Sequence, residues 1–233
     1  VDSKFTQSAF ERNQRAMLAT VQNIKADTTS VASNTLDRSY RPKSLYSDGD
    51  PREVREFTQS EALIRQASAE ALRAYWQRFG AAQVGELVLM GPVALAPVQA
   101  QLQTLWGEWA SKEKHAPWVA EHAVPQADKS TAILVADKAN ASYLGRIAVA
   151  MNETDADYPA LFLGVQILSR QGLWQRVREK EGLSYGVSST LNAPITGHAA
   201  SIDISASFAP QNAAKLRATI REVLVEKREQ GFS

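Results

Sequence analysis

Apolar residues recur along this chain with two different periods, and the period changes part-way through. Phe10, Met17, Leu18 and Val21 fall on one stripe at helical spacing, which predicts an opening helix. A polar loop is expected from Ala26 to about Asn34, then a turn-rich stretch from Pro42 to Pro51 with Asp48-Gly49 as a turn. Thr58 and Glu61 form a capping-box pattern ahead of Ala62, Leu63 and Ile64. Ser68 is placed to cap a second helix, with Leu72, Tyr75, Trp76 and Phe79 on one face and Gly80 as its stop. Glu86 to Met90 reads as a buried strand, ending at Gly91-Pro92. Pro97 then sits near the first turn of a helix carrying Val98, Leu102, Leu105, Trp106 and Trp109.

Residues 111–130 contain lysines, Pro117 and Pro125 and little periodicity, and are expected to be a linker. Beyond them the pattern changes. Thr131 to Ala136 and Ser142 to Met151 read as strands joined by a polar turn at Lys138 to Asn140. Asp157 to Ser169 reads as a helix with Leu161, Phe162, Val165 and Leu168 inward, and a shorter helix follows from Gly172. Strands are expected at 184–192 and 199–208. In the second, Ile202, Ile204, Ala206 and Phe208 alternate with Asp203, Ser205 and Ser207, so one face is wet. A closing helix over 212–230 buries Leu216, Ile220, Val223 and Leu224 and stops at Gly231. Hairpins and helices in blocks, without strict alternation, imply an α+β fold, a mostly antiparallel sheet covered by helices on one face.

Composition narrows the function only by exclusion. The chain has 233 residues, 44% hydrophobic and 22% charged, which is ordinary for a globular protein. A formal net charge of +1 gives no electrostatic footprint for nucleic acid. No apolar run is long enough to span a bilayer. The absence of cysteine excludes disulfides, thiolate catalysis and thiolate zinc ligands. Val1 is not a natural start residue, and Phe232-Ser233 reads as the start of a further element, so a piece of a longer chain is expected.

The run from Gly172 to Val187 is the most informative stretch. It reads as a helix that stops at Gly182 and turns directly into a strand, with Arg178 and Tyr185 on either side of the turn. On spacing alone, Arg178 lies among Arg176, Glu179, Lys180 and Glu181 and reads as part of a solvated helix end. Tyr185 shares strand parity with Val187 and Leu191 and reads as a core or half-buried tyrosine. Gly172 and Gly182 read as glycines serving backbone geometry at helix ends.

This run closely resembles "SRLFxxLREKxGLAYSV", found in the zinc-less half of pitrilysin/insulinase-type (inverted zincin) zinc metallopeptidases. Looser similarities precede it: Leu72 to Phe79 resembles the family's "LxxFYxxxY" helix, Leu87 to Val93 its "GDV" strand end, and Leu105 to Trp109 its "FGxW" helix end. The resemblance covers most of the chain from about Thr58 and implies the repeat unit of insulinase-like (processing-peptidase-like) enzymes. It implies that residues 1–110 are the back part of one half-repeat, helical with one strand near 84–91. Residues 111–130 would be the linker, and 131–233 the following half-repeat, truncated at its C-terminus.

The resemblance also implies a chemistry. In the family, zinc polarises the scissile carbonyl and lowers the pKa of its water while a glutamate accepts the proton. Arg178 and Tyr185 would reach the active site from the other half, offering a guanidinium fork and a phenol O–H to the oxyanion. The partners implied are a peptide substrate and a zinc-carrying half-repeat, in the same chain or in a partner subunit. The zinc-binding H-x-x-E-H is missing here. Glu121-His122 follows His115 at the wrong separation, with Pro117 between them, and His198 stands apart. The helix around Phe10, which would correspond to the family's glutamate-rich third-ligand helix, has only Glu11. Zinc is therefore expected in the parent protein and not in this chain, which alone is expected to be inactive. The alternative is a structural or binding half of the same fold. The family's habits and the lack of cysteine point to the periplasm, with the cytoplasm as alternative.

Two other clusters have simpler readings. Trp106 and Trp109 lie at helical spacing and read as core, although with Trp118 they would also make an aromatic patch. Glu153, Asp155 and Asp157 precede a helix whose N-terminus they favour electrostatically, with a calcium site as the weaker alternative.

Overall fold

The computed structural model describes residues 5–41, 46, 49–50, 52–114 and 131–231. Pro42, Asp48 and Pro51 of the expected turn, most of the expected linker, His115, His122 and Trp118 lie outside the described residues. The fold is α+β, as the sequence pattern implies. The chain divides into two units, one formed by Val1–Thr20 with Thr58–Trp118, the other by Val21–Phe57 with Val119–Ser233.

The first unit is helical. Helix α1 (Gln7–Lys25) bears the predicted stripe. α3 (Phe57–Gln66) begins at Phe57, and Glu61 pairs with Arg65 at 2.8 Å. α4 (Ala69–Phe79) starts where predicted, with the Ser68 hydroxyl accepting from the Ala71 amide at 3.0 Å, and ends at Gly80. α5 (Leu95–Trp106) stops at Gly107, so Trp109 lies beyond it and meets Trp76 in a tilted contact, with ring centroids 5.5 Å apart. Trp106 is exposed rather than core.

The strand expected near 84–91 is not formed. Ala82–Val84 makes a 3-10 turn and the following residues are irregular, with Met90 93% exposed. A strand needs a neighbour to saturate its amides and carbonyls, and among the described residues none lies beside it. Residues 131–136 likewise form no strand, and Leu134 is 94% exposed.

The second unit carries the sheet. β1 (Ala141–Val149), β2 (Gly186–Asn192) and β3 (Ala200–Phe208) pair antiparallel in the order β1-β3-β2. The register puts Val187, Ala206 and Tyr143 in one row and Leu191, Ile202 and Ile147 in another, all on one face. That face is covered by a helical layer and by α7 (Ala213–Gln230). Leu173, Val177, Leu216 and Ile220 are its most deeply buried side chains, packing with Val187, Ile204, Ala206 and Phe208. Each such side chain stabilises the fold by about 1.5–3 kcal/mol relative to exposure.

The expected polar loop after Ala26 is a helix, α2 (Thr28–Tyr40). Asp27 caps it by accepting from the Ser30 amide at 2.7 Å. Its other support is long-range. Thr28 and Thr29 hydroxyls meet Ser142 at 2.8 Å, and Tyr40 donates to the Arg146 carbonyl at 2.9 Å. Arg146, on the face away from the main core, bridges Asp37 at 2.6 Å and Asp203 at 2.7 Å. The hydrogen bonds that Arg146 donates to Asp203 raise its pKa further, against the effect of burial.

Candidate functional site

Helix α6 (Tyr158–Ile167) opens with Pro159 in its first turn and runs without a break into a π-helix, Leu168–Lys180. Gly172 therefore does not end or begin a helix. It is buried inside one, where a Cβ would come within 3.2 Å of both Leu168 Cδ1 and Val223 Cγ1. Its role is close approach to α7, in place of the helix-end geometry expected of it. Gly182 does end the helix, at φ +60°. Its amide donates to the Arg178 carbonyl at 3.1 Å, and the Leu183 amide to that of Val177 at 2.9 Å.

The π winding brings side chains five residues apart into register. Trp174 Nε1 donates to Glu179 Oε1 at 3.0 Å, and Arg176 Nε donates to Glu181 Oε1 at 2.6 Å. Glu181 also meets Lys215 Nζ at 3.4 Å and accepts from the Thr219 hydroxyl at 3.3 Å. Burial works to raise the Glu181 pKa, but the hydrogen bonds from Arg176, Lys215 and Thr219 outweigh it and hold the carboxyl below its usual value.

Arg178 stands in the last turn of the π-helix and is exposed. Its guanidinium carbon lies over the Trp174 ring, 4.2 Å from the centroid. Among the described residues it forms no ion pair, whereas Arg176 is held by Glu181 and by Glu222 at 3.5 Å.

Tyr185 is also exposed, at 61%, and this corrects the expectation of a core or half-buried ring. The strand begins at Gly186, and the preceding turn breaks the parity with Val187. The backbone around Tyr185 is nonetheless fixed. Its amide donates to the Ser207 carbonyl at 2.8 Å. The buried Ser184 hydroxyl lies 2.6 Å from the Gly186 carbonyl and 2.8 Å from that of Ser207, and accepts from the Gly186 amide at 3.1 Å. The turn thus presents one cationic fork and one phenol to solvent from a rigid frame.

The described residues do not fit a zinc site. None of their His, Asp and Glu side chains gather in groups of three placed to hold a metal. His198 is mostly exposed, with Nε2 4.0 Å from Asp155 Oδ1 and 3.5 Å from Asn152 Nδ2. Asp155 accepts from the Asn152 amide at 2.8 Å and so shapes the loop before α6. Glu11 takes a hydrogen bond from Gln7 at 2.8 Å on α1.

A family model described as "Peptidase M16 inactive domain" matches residues 66–233, well over half of the chain. The chain belongs to this family of M16 inactive domains. No curated protein sequence matches the chain. Solved structures of M16 relatives share its fold. The peptidase M16 inactive domain from Pseudomonas fluorescens is 22% identical, with a TM-score of 0.73 over all of this chain and 54% of that one. The periplasmic protease PqqL from Escherichia coli is 18% identical, with a TM-score of 0.70 over 98% of this chain and 24% of that one. Pitrilysin is 16% identical, with a TM-score of 0.55 over all of this chain and 25% of that one. The chain thus spans about half the length of the first of these and a quarter of the other two. The family matches the resemblance carried by the Gly172 to Val187 run, and with it the relationship to M16 peptidases. Trp174 and Glu179 are site features that the sequence reading did not single out. The signal available for Trp174 was its four-residue spacing to Arg178 on a helix.

Proposed function

We propose that this M16 inactive domain is the substrate side of a zinc-dependent endopeptidase, with Arg178 and Tyr185 stabilising the transition state of peptide hydrolysis. The observation that carries the proposal is the turn at Gly182, which holds two exposed oxyanion-type donors on a hydrogen-bonded backbone. Arg178 has no carboxylate partner among the described residues, so its N–H fork is available to a ligand oxygen. Tyr185 offers its phenol O–H. When a tetrahedral oxyanion forms, both donate to it. Donors fixed before the reaction are worth most in a closed, water-excluded site.

Metal chemistry would come from a zinc-carrying half-repeat, in the same chain or in a partner subunit. Catalysis then needs the two halves to close on the peptide, which also expels water. In this reading residues 1–110 belong to the end of one half-repeat, 111–130 link it to the next, and 131–233 form that next half-repeat up to α7. The chain alone hydrolyses nothing. The periplasm, the compartment named for PqqL, is the compartment we propose.

The test is hydrolysis of a quenched fluorescent peptide by the full-length protein with and without a zinc chelator. Chelator-sensitive hydrolysis that falls in Arg178→Ala supports the proposal. Hydrolysis unaffected by both the chelator and the substitution would reject it, and no hydrolysis by well-folded protein would favour a structural or binding half.

A further inference from the structure

We infer that Trp174 is a positioning residue that holds Arg178 in place for substrate. This rests on the substrate-side reading of Arg178 given above. A free arginine side chain at the end of a helix samples many rotamers and loses that freedom when it is held. A transition-state donor must be held to within about 0.5 Å of its productive position. Something must therefore order the Arg178 side chain without consuming its donors.

A carboxylate would order it but would occupy the N–H fork. An aromatic face orders a guanidinium from one side and leaves the in-plane N–H groups free. The Arg178 guanidinium carbon lies 4.2 Å from the Trp174 centroid. The indole is itself fixed, because Trp174 Nε1 donates to Glu179 Oε1 at 3.0 Å. That bond has a second effect. Glu179 is the carboxylate next to Arg178 in sequence, and the indole engages it. The nearest arginine, Arg176, is used differently: Glu181 takes its Nε at 2.6 Å, and Glu222 lies 3.5 Å from its Nη2. Two arginines two positions apart thus have opposite environments, one locked by acids and one resting on a ring. The π winding permits this, since it places residues 174 and 179, and 176 and 181, one above the other.

The test uses the full-length protein with labelled arginine side chains and a quenched fluorescent peptide. In the wild type the Arg178 side-chain protons should lie upfield, shifted by the indole ring current. Trp174→Leu should return them to ordinary positions and lower kcat/KM roughly three- to tenfold, mainly through kcat. Trp174→Phe should restore most of that loss. In an Arg178→Ala background, Trp174→Leu should change nothing further. If Trp174→Leu does not fold, Glu179→Ala, which releases the indole on the exposed surface, should show a smaller loss with the same dependence on Arg178.

Arg178 resonances that are identical in the wild type and Trp174→Leu overturn the inference. So does a loss in Trp174→Leu that persists undiminished in the Arg178→Ala background. A rate that falls in Arg178→Ala but stays at wild-type level in Trp174→Leu rejects the positioning role alone. Wild-type rates in Arg178→Ala reject the substrate-side reading and the positioning role together.

Discussion

The Ser184 hydroxyl lies 2.8 Å from the Ser207 carbonyl, and this part-buried contact ties the turn that presents Tyr185 to the middle strand of the sheet. The same hydroxyl accepts from the Gly186 amide. Ser184→Ala would leave that amide without its hydroxyl acceptor and remove a donor from the Gly186 and Ser207 carbonyls, of which Ser207 keeps the Tyr185 amide. The expected cost is about 1–3 kcal/mol, read as a lower urea midpoint. Tyr185 should also become more mobile by NMR relaxation, while Leu173 and Val177 stay packed.

Gly182 sits at φ +60° with nothing near its missing Cβ, so the cost of a side chain there is backbone strain alone. Gly182→Ala should destabilise the second unit by about 1 kcal/mol, and Gly182→Asn by less, because asparagine tolerates the left-handed region. Equal stability of all three proteins in urea would contradict the assigned geometry.

Arg146 links α2 to the sheet through Asp37 and Asp203. Arg146→Met removes the shared cation and leaves two carboxylates facing each other. A loss of about 2 kcal/mol is expected, tempered by the partial exposure of both acids. Asp37→Asn should cost less, since Asp203 retains its partner. Denaturant midpoints of the two variants give the comparison.

Glu181 gives a pH dependence of known sign. Its folded pKa is lowered, so the unfolded chain takes up the proton first as pH falls. The stabilisation is fully present above the ordinary glutamate value and is lost as pH falls through the folded value. Between about pH 7 and pH 3 the urea midpoint of the wild type should fall more steeply than that of Glu181→Gln. Parallel curves would show that Arg176, Lys215 and Thr219 do not favour the charged form.

Much of this architecture is legible in local pattern. The alternation of Ile202 to Phe208 fixes the two faces of β3, Gly182 marks the end of the π-helix, and α7 ends at Gly231 as its periodicity implies. Elements that depend on distant residues are not legible in this way. Helix α2 has a polar sequence and is held by Ser142 and Arg146, more than a hundred residues away. The apolar run at 87–90 has strand chemistry but no paired neighbour among the described residues, and pairing is a non-local event. At the site, residue types and order were readable but directions were not. One turn of irregular backbone before Gly186 reversed the expected burial of Tyr185. Likewise, spacing rules for an α-helix do not anticipate the five-residue pairing that joins Trp174 to Glu179.

The most direct test of the central claim is the effect of removing one oxygen atom. Tyr185→Phe in the full-length protein deletes the phenol O–H and leaves the ring. If Tyr185 donates to the oxyanion, kcat for a quenched fluorescent peptide should fall at least about tenfold with KM little changed, at unaltered stability. A kcat equal to that of the wild type, with the same chelator-sensitive hydrolysis, would contradict the claim.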